Sequence, residues 1–204
     1  MEIIISTITI FISLVIAITI HEFSHAFAAD RLGDPTPRSM GRLSLNPLRH
    51  LDLIGTLMLI FVHFGWGKPV QIDSYNFRKP KRDELIVALA GPASNLILSV
   101  IISLIIKLIP LDFFLKTVLV IIIQYNIMLA IFNLIPIPPL DGSKIFLNLL
   151  SPQSYVKWSE AFDRYGIVLL LILIFLPISN GNTLISLIIS PIIRFISNLL
   201  LPSF

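Results

Sequence analysis

A polytopic bundle of membrane-spanning helices is the fold class this sequence predicts, and three observations carry the prediction. Long apolar runs, Ile3 to about Ala29, Leu85 to Ile109 and Leu115 to Ile135, each reach across a hydrocarbon core of about 30 Å at 1.5 Å per residue. The chain is 55% hydrophobic and only 13% charged, with a mean hydropathy of +0.90, whereas about a quarter of a soluble domain is charged. The opening run also carries His21, Glu22 and His25 in its last third. A carboxylate at the centre of a spanning helix costs about 2.5–3.5 kcal/mol, so ionisable groups placed there default to function.

The first run begins Met1-Glu2, without a basic leader or a small-residue cleavage site before the histidines, so a cleaved signal peptide is not expected. From Asp30 to Leu51 the chain turns polar, with Arg31, Arg38, Arg42 and Arg49 among Gly and Pro residues, and reads as loop or short strand. Leu51 to Phe64 is apolar but only fourteen residues long, which suits a re-entrant or interfacial piece rather than a crossing. Gly65-Trp66-Gly67-Lys68-Pro69 is a turn, and Arg78-Lys79-Pro80-Lys81-Arg82 reads as a solvated loop against anionic headgroups. Within Leu85 to Ile109, Gly91-Pro92-Ala93-Ser94-Asn95 interrupts the apolar pattern, and that face is expected to meet protein. The run Leu115 to Ile135 ends at Pro136, Pro138 and Pro139, which must break the helix before Asp141. Beyond a polar segment, Ser143 to Arg164, two further apolar runs, Tyr165 to Pro177 and Leu184 to Pro202, flank Asn180-Gly181-Asn182. The last contains Pro191 and Arg194, and either spans with a snorkelling Arg or lies on the surface. This predicts about five spans plus the short re-entrant piece, in one domain over 1–204: a core over 1–142 and additional membrane segments over 143–204.

The net charge of +3 needs no nucleic acid partner, because Lys and Arg in cytoplasmic loops produce the same balance. Cysteine is absent, which excludes a disulfide framework and a thiolate metal site. If Leu51 to Phe64 does not cross, loops 30–50, 65–84 and 142–164 share one side and collect twelve of the fifteen Lys and Arg, while only Lys107 and Lys116 fall opposite. That side is then cytosolic, and the N-terminus lies outside.

On a helix, His21 and His25 lie about 40° apart on one face and can hold one metal, with Glu22 beside them as a base. A helix-end histidine pair is the bland alternative. A catalytic zinc takes three protein ligands and keeps a fourth position for water. Most of the other acids sit in charged or turn segments, and His50 and His63 are the spare histidines. Asp141 alone ends a long apolar run and has no cation within two residues, although an Asp before Gly142 also suits a helix cap. Zinc on His21, His25 and Asp141 would make a water acidic enough for Glu22 to deprotonate as it attacks a peptide carbonyl. A zinc transporter is the rival reading, since membrane His and Asp clusters also mark ion paths. It would need ligands reachable from both sides and no base at Glu22. An inactive homologue that binds transmembrane helices without cutting them is the second rival.

These residues together resemble the site-2 protease family of intramembrane zinc metalloproteases. The family pattern of HExxH in one helix and Asn-x-x-Pro-x-x-x-x-Asp-Gly at the end of a later one is matched by His21, Glu22 and His25 and by Asn133, Pro136, Asp141 and Gly142. The likeness extends through the Gly41-to-Gly55 loop and the 91–95 segment, covers about Ile16 to Gly142, and leaves the last sixty residues without a motif. Nothing in the chain is long enough for an inserted PDZ or CBS domain, so it looks like the compact form. The resemblance implies one zinc per chain and regulated cleavage of transmembrane protein substrates within the bilayer, expected to be that of a prokaryotic cell, and the charge asymmetry puts both ligand sets toward the cytosolic face. It also implies that Asn133 helps near the scissile carbonyl and that 38–50 is a membrane-entering β-hairpin, for which an ordinary interfacial loop is the alternative.

Overall fold

The long apolar runs fold as helices, and hydroxyl-bearing residues of the first are satisfied within it. The structure, a computed structural model, describes residues 2–62, 65–179 and 182–201. Helix α1 is Glu2–Leu32, and Thr9, Ser13, Thr19 and Ser24 each donate to the carbonyl four residues back. Helix α4, Pro80–Leu108, contains Pro92 without breaking, so the expected interruption at 91–95 is a local change of surface and not of backbone. Helix α5, Phe113–Asn133, starts on Asp112, whose side chain accepts from the Leu115 amide.

These three helices are the ones among the described residues that are long and apolar enough to cross a membrane. They pack closely on one another, with a core around Ile102, Ile106, Ile122, Ile123, Ile127 and Ile131. His25 meets Val87 and His21 meets Asn95, so α1 and α4 are antiparallel. Asn95 meets Asn126 and Ser99 meets Ile123, so α4 and α5 are antiparallel too. Helices α1 and α5 therefore run the same way, and the ends of both lie at one end of the bundle.

Between them the chain leaves α1 and returns to the same end. The short helix α2, Thr36–Ser39, a 3-10 turn at Pro47–Arg49 and the ten-residue helix α3, Leu53–Val62, make up most of this stretch. Ten residues rise only about 15 Å, half of a hydrocarbon core. His63 and Phe64, the end of the expected re-entrant piece, lie outside the described residues, as do Asn180, Gly181 and Pro202. Asp34, fully buried, accepts from the amides of Thr36 and Asp73 and from Asn76 Nδ2 at 3.0, 2.8 and 3.0 Å. It staples the start of the excursion to its end. Burial opposes its ionisation, but these hydrogen bonds outweigh that and lower its pKa.

The expected β-hairpin over 38–50 is corrected: the described residues there are helical turn and loop, and their neighbourhood holds a single bridge between Leu51 and Gly67. Partial alternation over a few residues did not suffice, because Pro47 and the Asn46 side chain, which accepts from the Leu48 amide, nucleate a turn instead. The small antiparallel sheet lies elsewhere, β1 Pro177–Ser179 with β2 Asn182–Thr183.

The C-terminal course also differs from five alternating spans. After α5, turns over 134–140 lead into α6, Asp141–Leu149, and α7, Pro152–Phe175, folds back along it through Phe146, Trp158 and Phe162. Charged residues in its first half exclude α7 from the helices apolar enough to cross. Its second half packs Leu170 against Leu140 and Ile185, while the other end of α8, Leu184–Leu200, receives the Ser103 hydroxyl on the Leu200 carbonyl. Helix α8 thus runs antiparallel to α5, where five alternating spans require it parallel.

Candidate metal centre

Three donors from two distant stretches meet at the end of the bundle where α1 and α5 finish. The Asp141 carboxylate oxygen Oδ2 lies 3.0 Å from His21 Nε2 and 3.1 Å from His25 Nε2, and the three ligand atoms all fall within 4.8 Å of one another. Tetrahedral zinc with bonds near 2.0–2.1 Å separates its donors by roughly 3.3 Å, so this spacing fits the ion. The imidazole rings stand edge to face, 84° apart with centroids 4.6 Å apart, as two histidines on one helical face do. Asp141 arrives as the first residue of α6 and caps nothing with its side chain, which removes the capping explanation. Its closeness to His21 depends on Gly142, where a Cβ would collide with the carbonyls of Leu134 and Ile135.

The remaining ring nitrogens provide the test of fit. His25 Nδ1 is 2.7 Å from the Val87 carbonyl, and His21 Nδ1 is 2.7 Å from Asn95 Oδ1. Both partners are oxygen acceptors, so each Nδ1 carries the hydrogen and each Nε2 of a neutral imidazole presents a lone pair. Two lone pairs and a carboxylate then converge with nothing but like partners, an arrangement that a cation satisfies. Gly91 leaves the room: a Cβ there would lie 2.7 Å from His21 Cε1 and Nε2 and would also overlap His25.

Glu22 lines the same cavity of about 290 Å³ but stands apart from the three donors. Its Oε2 accepts from the Val70 amide at 3.0 Å, and the buried Arg42 guanidinium lies 4.0 Å from the same oxygen. Arg42 also donates to the carbonyls of Arg49 and Lys68, so it ties the chain on both sides of α3 to the helix that carries the base. Asn133 lines the cavity from the end of α5, with Nδ2 donating to the Leu129 carbonyl at 3.0 Å. Of the spare histidines, His50 is fully buried and points Nε2 at the Ser44 carbonyl, 2.6 Å away, so it serves the loop. Burial lowers its pKa, with the Ser44 contact opposing.

Sequence reasoning brought His21, Glu22, His25, Asn133 and Asp141 to one cavity. It gave no role to Asn95, to Gly91 or to the Val87 carbonyl, and it missed Arg42 and the Val70 amide. Asn95 carried a readable signal, an amide in the middle of an apolar run. The backbone partners carried none, because a carbonyl or amide has no sequence identity.

A HExxH pair on one helix with an acid from another is the donor set of a metallopeptidase. The chain belongs to peptidase family M50, the site-2 protease family: the model of that family, described as "Peptidase family M50", matches residues 9–114 and 111–176. It is 37% identical over 182 residues to "Putative zinc metalloprotease YwhC" of Bacillus subtilis (strain 168), covering 83% of this chain and 81% of that protein. Over 174 residues it is 30% identical to "Putative zinc metalloprotease Rip2" of Mycobacterium tuberculosis (strain ATCC 25618 / H37Rv), covering 81% of this chain and 66% of Rip2. Over 180 residues it is 23% identical to "Zinc metalloprotease MJ0392" of Methanocaldococcus jannaschii, covering 88% of this chain and 45% of that protein. No solved structure matches the chain. The chain is accordingly a zinc metalloprotease with helices apolar enough to cross a membrane.

Proposed function

We propose that this chain cleaves transmembrane segments of membrane proteins inside the bilayer, with His21, His25 and Asp141 holding one zinc, Glu22 as the general base and acid, and Asn133 positioning the scissile carbonyl. The observation that carries the reading is that the donor set lies among helices long and apolar enough to span a membrane, beside a cavity that also contains Glu22. Bound zinc supplies Lewis acidity, making a water acidic enough to attack near neutral pH and polarising the peptide carbonyl. Glu22, which lines the cavity with Oε2 held by the Val70 amide, takes the proton of the attacking water and returns it to the leaving amine. Asn133 offers its second amide hydrogen to the developing oxyanion. A helical substrate must unwind first, since its carbonyls are otherwise engaged in hydrogen bonds, and helix-weakening residues in the substrate should help.

Residues 1–204 act as one domain in this proposal, embedded in a prokaryotic cell membrane with lipid and transmembrane substrates as partners. Helices α1, α4 and α5 cross, the shorter α8 packs antiparallel along α5, and α7 turns back at the depth of the site. The excess of Lys and Arg in the loops at the end that carries the site supports a cytosolic orientation for that end. Co-expression with a panel of single-span membrane proteins tests the reading. The wild type should deplete at least one of them and Glu22→Gln should let it accumulate uncut. Equal cleavage by both would remove Glu22 from the mechanism, and no cleavage across a broad panel would overturn transmembrane segments as the substrate.

A further inference from the structure

We infer that Asn126, which touches neither the metal ligands nor the cavity, fixes the proton position on His21 through Asn95, and so sets how well this chain holds zinc. The argument is one of donors and acceptors. Asn126 Nδ2 lies 2.8 Å from the Ile122 carbonyl, which can only accept, so the amide nitrogen must point there and Oδ1 must point away. That Oδ1 is 2.7 Å from Asn95 Nδ2, and the same nitrogen is 3.0 Å from the Ala17 carbonyl. Both Asn95 hydrogens are thereby used, on two oxygens that cannot donate. Asn95 Oδ1 is left as the only group facing His21 Nδ1, so that nitrogen carries the hydrogen and Nε2 keeps its lone pair for the metal. Asn95 and Asn126 are both fully buried, so no water competes for these positions.

The two ligand histidines differ in this respect. His25 is oriented by a backbone carbonyl, which no substitution removes, while the tautomer of His21 depends on a side-chain amide that can turn by 180° about its last torsion. A turned Asn95 would present N–H to His21 Nδ1 and favour the Nε2–H tautomer, whose proton must leave before zinc can bind. Asn126 and Ala17 are the two locks against that turn. Simple interhelical glue, the alternative role for buried Asn in a membrane bundle, would make no demand on which atom of Asn95 faces His21.

The inference rests on His21 being a zinc ligand, and its test reads the tautomer separately from the metal. The full chain, labelled with ¹⁵N-histidine in lipid nanodiscs, gives the His21 tautomer by long-range ¹H–¹⁵N spectra without zinc, the signal being assigned by its loss in His21→Gln. Zinc affinity is measured on the same samples by competition with a chromophoric chelator. Wild type should show Nδ1–H at His21. Asn126→Leu should show a mixture with Nε2–H and about tenfold weaker zinc, at the low end for loss of a partner behind a ligand. The decisive variant is Asn126→Leu combined with Asn95→Asp, because a carboxyl group presents an oxygen to His21 whichever way it turns. It should regain both the Nδ1–H tautomer and wild-type affinity. An unchanged tautomer in Asn126→Leu overturns the relay, and so does a double variant as weak as Asn126→Leu alone, which would make Asn126 a packing residue. An Nδ1–H shift accompanied by unchanged zinc affinity would instead remove His21 from the ligand set.

Discussion

The helices that carry the site and the helices that follow it are held by different forces. Between α1, α4 and α5 the buried contacts include His21, His25, Ser13, Asn95, Ser99 and Asn126, and several of these bond across helices. Between α7, α8 and the rest, the buried contacts are mostly apolar, Leu140, Leu170 and Ile185 with flanking isoleucines and leucines, and the Ser103 hydroxyl on the Leu200 carbonyl is the polar bond that joins α8 to α4. In lipid this contrast matters more than in water, because hydrocarbon tails solvate a leucine as well as another helix does, and apolar contact alone selects no partner or register. A buried amide does select, since each donor must find its acceptor at about 2.9 Å. The polar seam therefore positions the chemistry, and the C-terminal helices pack around it.

The largest test of that contrast acts at the junction, where Asp141 joins the seam from the far side of a proline-rich break. Asp141→Ala should lose both zinc and proteolysis to background, because two histidines remain where a catalytic site needs three ligands. Metal analysis of the purified variant checks it, and full zinc occupancy would send the third-ligand assignment elsewhere. Next in size, Asn133→Ala should keep zinc but slow cleavage by about 10²- to 10³-fold, the usual cost of an oxyanion donor. Equal zinc loss in this variant would make Asn133 structural.

Gly91→Ala tests the seam where its backbones come closest. Alanine is the better helix former by about 1 kcal/mol, so α4 itself should not suffer. The added methyl would nevertheless lie 2.7 Å from the His21 ring and displace both imidazoles, so zinc should bind about 10- to 100-fold more weakly. The matched control is Leu170→Ala in the apolar cluster, which should leave zinc affinity unchanged. If both variants weaken zinc alike, the division into two regions is wrong.

The legibility of the chain follows the same division. The ligand set and the base were readable because charged and imidazole groups inside apolar runs are costly and few, and spacing then restricted which could meet. The three helices long and apolar enough to cross a membrane were readable from length and apolarity, with ends within a few residues of those found. The loop over 38–50 stayed open between a hairpin and an interfacial loop because its order comes from Asn46, Pro47 and Arg42 acting through backbone partners, and a local alternation of side chains says nothing about those. The course of α8, left open between a span and a surface helix, was not legible for a related reason. Two apolar runs separated by a turn look alike whether they cross twice or fold back, and only the pairing of Ile185 with Leu140 and of Leu200 with Ser103 distinguishes the two.

That last distinction has the smallest energetic weight and a direct readout. The chain has no cysteine, so every introduced thiol is the only one present. Pro110 lies in the connection between α4 and α5, at the Ser103 end of the bundle, whereas Asn182 immediately precedes α8 at the Leu140 end. With the Lys- and Arg-rich end cytosolic, Pro110→Cys should react with a membrane-impermeant thiol reagent in intact cells. Asn182→Cys should not react until lysis, in company with Ser154→Cys at the start of α7. Neither exposed position holds a buried contact, so proteolysis and zinc content should stay at wild-type levels. Labelling of Asn182→Cys together with Pro110→Cys in intact cells would mean that α7 crosses after all. The chain would then have five spans, and α8 would pack on α5 in the direction opposite to the one described.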